Sequence, residues 1–174
     1  KTLIPVVISG KEYLNLKSKN GTEPGKEGKI LYSYNLSTKE LVDDSVRIAK
    51  FEQKNWEKTS IEKVKEIMGN CAKIMEENRP RLIAAMMRDG GKTISEGDPE
   101  ISEAIDFARF YSLSAENLNK ESSAVGVVVI APPWNFPYAI PMGGIVAALV
   151  SGNSVIFKPA PETVLIGWEL VNQL

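Results

Sequence analysis

An α/β fold, one domain built in two different ways along its length, is what this 174-residue sequence predicts, and three observations carry the prediction. From about Lys39 to Leu118, apolar residues recur at helical spacing. Val125 to Ile130 is then a β-branched run of the kind that fills a strand buried on both faces of a parallel sheet. Ser154 to Phe157 repeats that character after an apolar helix, so the chain from residue 125 reads β-α-β-α, the start of a doubly wound unit. Residues 1–124 are thus predicted to hold strands and helices, and residues 125–174 the first part of a parallel sheet.

The elements follow in order. Ile4 to Ser9 and Ile30 to Tyr34 are apolar and β-branched, with Gly21, Pro24, Gly25 and Gly28 between them, which predicts a looped strand pair. Val42, Val46, Ile48 and Ala49 make the apolar stripe of one helix. Ile61, Val64, Ile67, Met68, Cys71, Ile74 and Met75 make that of a second. Pro80 breaks this helix, and a shorter one runs through Leu82, Ile83, Ala85 and Met86 to a stop at Gly90-Gly91. Asp98 as N-cap with Pro99 in the first helical position predicts the next helix, through Ile101, Ile105 and Ala108 to about Leu118. A polar break at residues 119–123 precedes the Val125 strand. A Pro-Pro-Trp-Asn turn leads into an apolar helix over about Tyr138 to Val150, which Gly152-Asn153 ends. After the Ser154 strand comes a Lys158-Pro159-Ala160-Pro161 turn, then a last helix from about Glu162, expected to be still running at Leu174. A native short domain would cap that helix and pair its sheet edge, so the reading is of a piece of a longer polypeptide.

Composition narrows the function classes. A net charge of −1 gives no concentrated basic surface for nucleic acid or an anionic membrane. The longest apolar stretch, Ala139 to Val150, contains Pro141 and two glycines and is too short to span a bilayer. No cationic, apolar leader opens the sequence, and a single cysteine forbids an internal disulfide; both suit a reducing, cytoplasmic setting. Histidine is absent, which removes any His-dependent triad or His metal site from these residues, and no metal is expected.

In open α/β sheets, ligands bind beyond the carboxyl ends of the strands, where two turns are expected here. Ala131 to Pro137 presents the amide of Asn135 on a turn stiffened by Pro132, Pro133 and Pro137 and flanked by Trp134 and Phe136. A rigid amide donor aimed into a pocket can stabilise a developing oxyanion. It can equally be an Asx-type cap on the following helix. Lys158 to Pro161 places an ammonium at a strand end, where it meets either a ribose or phosphate or only solvent. No G-x-G-x-x-G follows the Val125 strand, so the usual dinucleotide fingerprint is missing.

Pro133-Trp134-Asn135-Phe136-Pro137, followed by Gly152-Asn153-Ser154-Val155-Ile156-Phe157-Lys158-Pro159, resembles the paired signature of the aldehyde dehydrogenase superfamily, in order and with the same intervening apolar helix. The resemblance implies an aldehyde-dehydrogenase-like fold, incomplete here: an N-terminal strand pair and helices, then the first β-α-β-α of the Rossmann-like NAD-binding domain. The family binds NAD without the glycine fingerprint. The resemblance also implies that Asn135 donates to a thiohemiacetal oxyanion, that Trp134 and the Pro132-Pro133 backbone lie against the cofactor, and that Lys158 holds the adenosine ribose. The family often has a glutamate three residues past that lysine. Here Pro161 stands in that position with Glu162 next, so NADP is the alternative to NAD.

Upstream, Asp89-Gly90-Gly91-Lys92-Thr93 resembles the family's glycine-lysine turn; Lys92 is read as a C-cap and dipole-facing cation with no catalytic role. Pro99-Glu100-Ile101-Ser102-Glu103-Ala104-Ile105-Asp106-Phe107-Ala108-Arg109-Phe110-Tyr111 resembles a helix of the 1-pyrroline-5-carboxylate dehydrogenases, above all those that form a domain of the bifunctional proline-utilisation flavoenzyme. The short connection from Leu118 to Val125 agrees. FAD would enter only with a proline dehydrogenase domain upstream in the parent. Glu103 shares a face with Phe107 and Phe110, and with Phe136 it either lines an aldehyde tunnel or is a surface glutamate.

Chemistry of this kind needs a cysteine thiolate and a general base. The only thiol, Cys71, falls in an apolar stripe and is expected to be a core residue, so the nucleophile and base implied by the resemblance would lie elsewhere in the parent. The expected function is therefore part of an NAD-dependent enzyme that oxidises L-glutamate γ-semialdehyde to glutamate in proline degradation. Its expected partners are the aldehyde and the rest of its own polypeptide, in a homo-oligomeric parent. The alternatives are another aldehyde, or a non-catalytic nucleotide-binding or assembly module.

Overall fold

A computed structural model of the chain describes residues 2–118 and 122–174; most of the expected polar break therefore lies outside the described residues. The amino-terminal region differs from the expected strand pair. Pro5 divides the Ile4–Ser9 run into β1 (Thr2–Ile4) and β2 (Val6–Ile8), which belong to different sheets. β2 turns back through Ser9-Gly10 onto β3 (Lys11–Tyr13). β1 runs parallel to β5 (Ile30–Asn35), whose other edge takes the antiparallel β4 (Ser18–Thr22). The polar, glycine-containing β4 gives no strand signal of its own. Gly21 is needed because the ring of Tyr32 lies across it, only 2.1 Å from where a Cβ would stand.

Helices follow with starts fixed by side-chain caps. Thr38 Oγ1 accepts from Leu41 N at the start of α1 (Lys39–Trp56), and Ser60 Oγ accepts from Lys63 N at the start of α2 (Ile61–Glu77). Pro80 lies in the first turn of α3 (Arg79–Asp89), as its missing N–H allows. α4 (Ile94–Ser114) begins before the expected Asp98-Pro99 start. Glu96 closes the turn earlier, accepting from both the backbone N and the hydroxyl of Thr93, and this leaves Pro99 inside the helix. The helix ends at Ser114 and passes into a 3-10 turn at Ala115–Asn117.

From there the sequence expectation holds closely. β6 (Val127–Ile130) leads to α5 (Ala139–Val150), β7 (Ser154–Phe157) and α6 (Val164–Val171). β6 and β7 pair in parallel, Val127 opposite Ser154 and Ile130 opposite Phe157. Burial on both faces is not met: Val129 is 61 % exposed and Val125, outside the strand, 89 %. The final helix also ends sooner than expected, at Val171, with Asn172 N bonded back to Trp168 O. Asn153 joins the ends of the unit, its Oδ1 accepting from Gly126 N while its Nδ2 donates to Ala148 O.

One core crosses residue 124. It collects Val64, Met68 and Met75 of α2, Leu82 and Met86 of α3, Ile101 and Ile105 of α4, Met142 and Ile145 of α5, and Ile166 and Leu170 of α6. α1 lies at its margin, where Val42 is exposed despite the expected stripe. Trp56 packs against the edge of the core, and two polar contacts fasten α1 there as well: Trp56 Nε1 donates to Leu149 O and Gln53 Nε2 to Gly152 O. A smaller cluster of Ile4, Tyr32, Tyr34 and Val164 packs the amino-terminal sheet onto α6. No helix among the described residues is long and apolar enough to cross a membrane.

Candidate active site

The register of β6 and β7 decides where the two turns emerge. Lys158 N donates to Ile130 O at 2.9 Å, so the loop 131–137 and the turn 158–161 leave the carboxyl ends of adjacent strands side by side. Pro132, Pro133 and Pro137 have no N–H, and among the described residues no backbone-to-backbone hydrogen bond involves 132–137. The loop nevertheless carries three large groups outward: Trp134 is 55 % exposed, Phe136 44 %, and Asn135 is exposed between them.

What holds this loop comes from α4. Glu100 is fully buried, and its Oε1 accepts from Tyr138 N at 2.7 Å and Ala139 N at 3.1 Å, the first amides of α5. A carboxylate there satisfies two orphan donors and meets the positive end of the helix dipole. Its Oε2 accepts from Lys92 Nζ at 2.6 Å. The same ammonium donates to the carbonyl oxygen of Asn135 at 2.9 Å and stands 4.2 Å from the centre of the Phe136 ring. Lys92 thus departs from its expected role. Its backbone N closes the end of α3 by bonding Met86 O, while its ammonium is turned away to the Asn135 loop. The Asx-cap alternative for Asn135 falls for the same reason: Glu100 caps α5, and the Asn135 side chain makes no hydrogen bond among the described residues.

A second buried carboxylate acts at α6. Asp89, the last residue of α3, accepts from Tyr32 Oη at 2.8 Å and from Ile166 N, in the first turn of α6, at 3.2 Å. Burial pushes the Asp89 carboxyl up to about 6, against the opposing pull of these donors. Burial likewise raises the Tyr32 phenol. α6 approaches the 158–161 turn closely because Gly167 has no side chain: a Cβ there would lie 2.7 Å from Pro159 Cβ.

The remaining sequence-expected residues fall as follows. Lys158 is exposed, its ammonium bonded among the described residues only to the adjacent Pro159 O at 3.3 Å, and Pro161 and Glu162 are exposed beside it. Glu162 is near enough to Tyr34 to help raise that phenol, behind the larger effect of burial. Glu103 is exposed on α4 and has no hydrogen bond or ion pair among the described residues. Cys71 is buried, and desolvation pushes its thiol up, the reverse of an activated thiolate. Sequence reasoning singled out Glu103 and passed over Glu100. The signal was present: buried residues of α4 include 97, 100, 101, 104, 105, 108 and 112, so Glu100 is the one carboxylate on the apolar stripe.

Three comparisons bear on this arrangement. The profile described as the aldehyde dehydrogenase family matches residues 16–174. The chain is 29% identical over 184 residues to a 1-pyrroline-5-carboxylate dehydrogenase of Geobacillus sp. (strain WCH70), covering 98% of this chain and 36% of that protein. It therefore spans about a third of the length of such curated relatives. Among solved structures, proline utilization A from Bdellovibrio bacteriovorus superposes with a TM-score of 0.93 at 30% identity, over 99% of this chain and 20% of that one. A 1-pyrroline-5-carboxylate dehydrogenase from Thermus, solved with bound NAD, shares the fold at a TM-score of 0.92 and 24% identity, over 99% of this chain and 36% of that one.

Proposed function

This chain belongs to the aldehyde dehydrogenase family, and we propose that it supplies the oxyanion donor and part of the dinucleotide cleft of an enzyme that oxidises L-glutamate γ-semialdehyde to glutamate with NAD, as in proline degradation. The observation that carries this reading is the pair of exposed turns at the carboxyl ends of β6 and β7, one offering an amide unpaired among the described residues and the other an ammonium. The named relatives support the choice of substrate.

The donor set fits a dinucleotide. Trp134 offers an exposed aromatic face, the Pro132-Pro133 backbone borders it, and Lys158 and Glu162 offer a cation and a carboxylate suited to ribose hydroxyls. The nicotinamide, when bound, would take up the hydride. Asn135 would donate its Nδ2 hydrogens to the oxygen of the tetrahedral adduct as negative charge gathers there, a contact stronger in the transition state than in the ground state. Phe136, with Glu103 on the neighbouring helix, would line the aldehyde's approach. Pro161 in place of a carboxylate leaves Glu162 as the acidic group near the ribose, with NADP as the alternative cofactor.

Cys71 does not serve as nucleophile, being buried with a raised thiol. We therefore assign the attacking thiolate and the general base to further sequence of the same polypeptide, in a reducing, cytoplasmic setting, and expect no turnover from the 174 residues alone. The test is NADH formation by the full-length polypeptide with pyrroline-5-carboxylate, against propanal and succinic semialdehyde. Strong preference for the first is expected. Preference for another aldehyde would remove the substrate, and turnover by the 174-residue chain would overturn the reading of Cys71.

A further inference from the structure

We infer that Lys92 and Glu100 are positioning residues for catalysis, a clamp that fixes the backbone of Asn135 and so the aim of its amide; the inference rests on the function proposed above for Asn135.

The argument begins from what the loop lacks. Three prolines remove N–H groups from residues 132–137, and among the described residues no backbone-to-backbone hydrogen bond ties that span down. Pro133 to Phe136 are exposed and provide little packing; of the span's side chains only Pro137, at its far end, is buried. Among the described residues, the hydrogen bonds that hold the span and its exit into α5 come from one linked pair. Lys92 grips the Asn135 carbonyl, and Glu100 grips the amides of Tyr138 and Ala139 just past Pro137. The two grips are joined by the 2.6 Å contact between Lys92 Nζ and Glu100 Oε2.

Both groups are sequestered, with side-chain exposures of 12% for Lys92 and 0% for Glu100. A surface cation would rest in water and fix nothing. Here both carboxylate oxygens are engaged, and the ammonium has two oxygen acceptors and an aromatic face around it. Lys92 sits just past the end of α3 and Glu100 lies within α4, elements rooted in the main core, so the clamp refers the loop to the rigid part of the molecule. An oxyanion donor misplaced by about an ångström can lose about a hundredfold in rate, which is why a fixed carbonyl matters to the amide on the same residue.

The test uses the full-length polypeptide, with the loop grip removed in two ways. Lys92→Met deletes the grip but strands a buried carboxylate. Lys92→Met with Glu100→Gln deletes it while leaving an acceptor for the α5 amides and no unpaired charge. Each is made alone and in an Asn135→Ala background. Expected for both is a fall in kcat of about tenfold to a hundredfold, with KM for NAD within about twofold of wild type. In the Asn135→Ala background the same changes should lower kcat by less than about twofold, because the clamp has nothing left to aim. Losses that multiply across the two backgrounds, or an unchanged kcat, would overturn the inference and leave the proposed function standing.

If the wild-type protein oxidises none of the aldehydes, the proposed function fails and a second readout judges the clamp. The Asn135–Phe136 pair is the one Asn-Phe peptide among these 174 residues, so carbonyl-13C asparagine with 15N phenylalanine labels its carbonyl, and the resonance is assigned as the one that disappears from the Asn135→Ala protein. Loss of a charge-assisted bond should shift that resonance in both variants, and an unmoved signal would refute the clamp.

Discussion

The helices that follow β6 and β7 are held at their amino ends by the same device, once with a counter-charge and once without. Glu100 of α4 reaches the first amides of α5, and Asp89 of α3 reaches an amide in the first turn of α6. Each is a buried carboxylate sent from the helical region into the parallel unit. Glu100 has an ammonium against it; Asp89 has the neutral phenol of Tyr32. Without a counter-charge, burial raises Asp89 to about 6. The difference matches what each supports. Glu100 stands behind the loop that presents Asn135, where a fixed charge can also grip a carbonyl, while Asp89 fastens α6 and the amino-terminal sheet.

Breaking the Glu100 side should cost most. Glu100→Ala leaves Lys92 buried without its anion and two helix amides without an acceptor, and should lower stability by about 3–5 kcal/mol in urea unfolding followed by tryptophan fluorescence. Gly167→Ala forces a methyl against Pro159 in the turn beside Lys158. It should cost about 1–3 kcal/mol and weaken NAD binding in a titration more than it lowers kcat. Tyr32→Phe removes one donor from Asp89 and should cost about 1–3 kcal/mol at pH 8, and less at pH 5.

The pH dependence on the Asp89 side has a definite sign. With its native value raised to about 6 from 3.8, the folded chain keeps a proton that the unfolded chain releases. The stability associated with this proton is present below about pH 4 and is lost as pH rises through about 6. Asp89→Asn should remove that slope from the unfolding free energy measured between pH 4 and 7; a slope that persists would place the titration elsewhere. The smallest effect sharpens the contrast with an exposed carboxylate: Glu103→Gln should change stability by no more than about 0.5 kcal/mol.

The parallel unit was legible almost residue by residue because its signals are local: a β-branched run, Gly152-Asn153, and a second run ending at Phe157. The turns that carry Asn135 and Lys158 were legible because they follow directly from those strands. The amino-terminal sheet was not. β4 is polar and borrows its pairing from β5, and Pro5 separates β1, whose partner β5 is distant in sequence, from β2, which turns back onto β3. The start of α4 was missed because Glu96 and Thr93 form a better stop than Asp98-Pro99. The clamp was missed for a different reason. Lys92 and Glu100 lie 43 and 38 residues from Asn135 and Tyr138, and only tertiary packing brings them together. The apolar stripe of α4 marks Glu100 as buried, but sequence spacing does not say what it caps.

The most direct test is the kcat of the Asn135→Ala enzyme, measured in the full-length polypeptide with pyrroline-5-carboxylate and saturating NAD. Loss of a single oxyanion donor should lower kcat by about 10²–10³-fold, with KM for NAD within about twofold of wild type. A kcat within about threefold of wild type would contradict the assignment of Asn135 as the oxyanion donor, and with it the purpose of the clamp behind it.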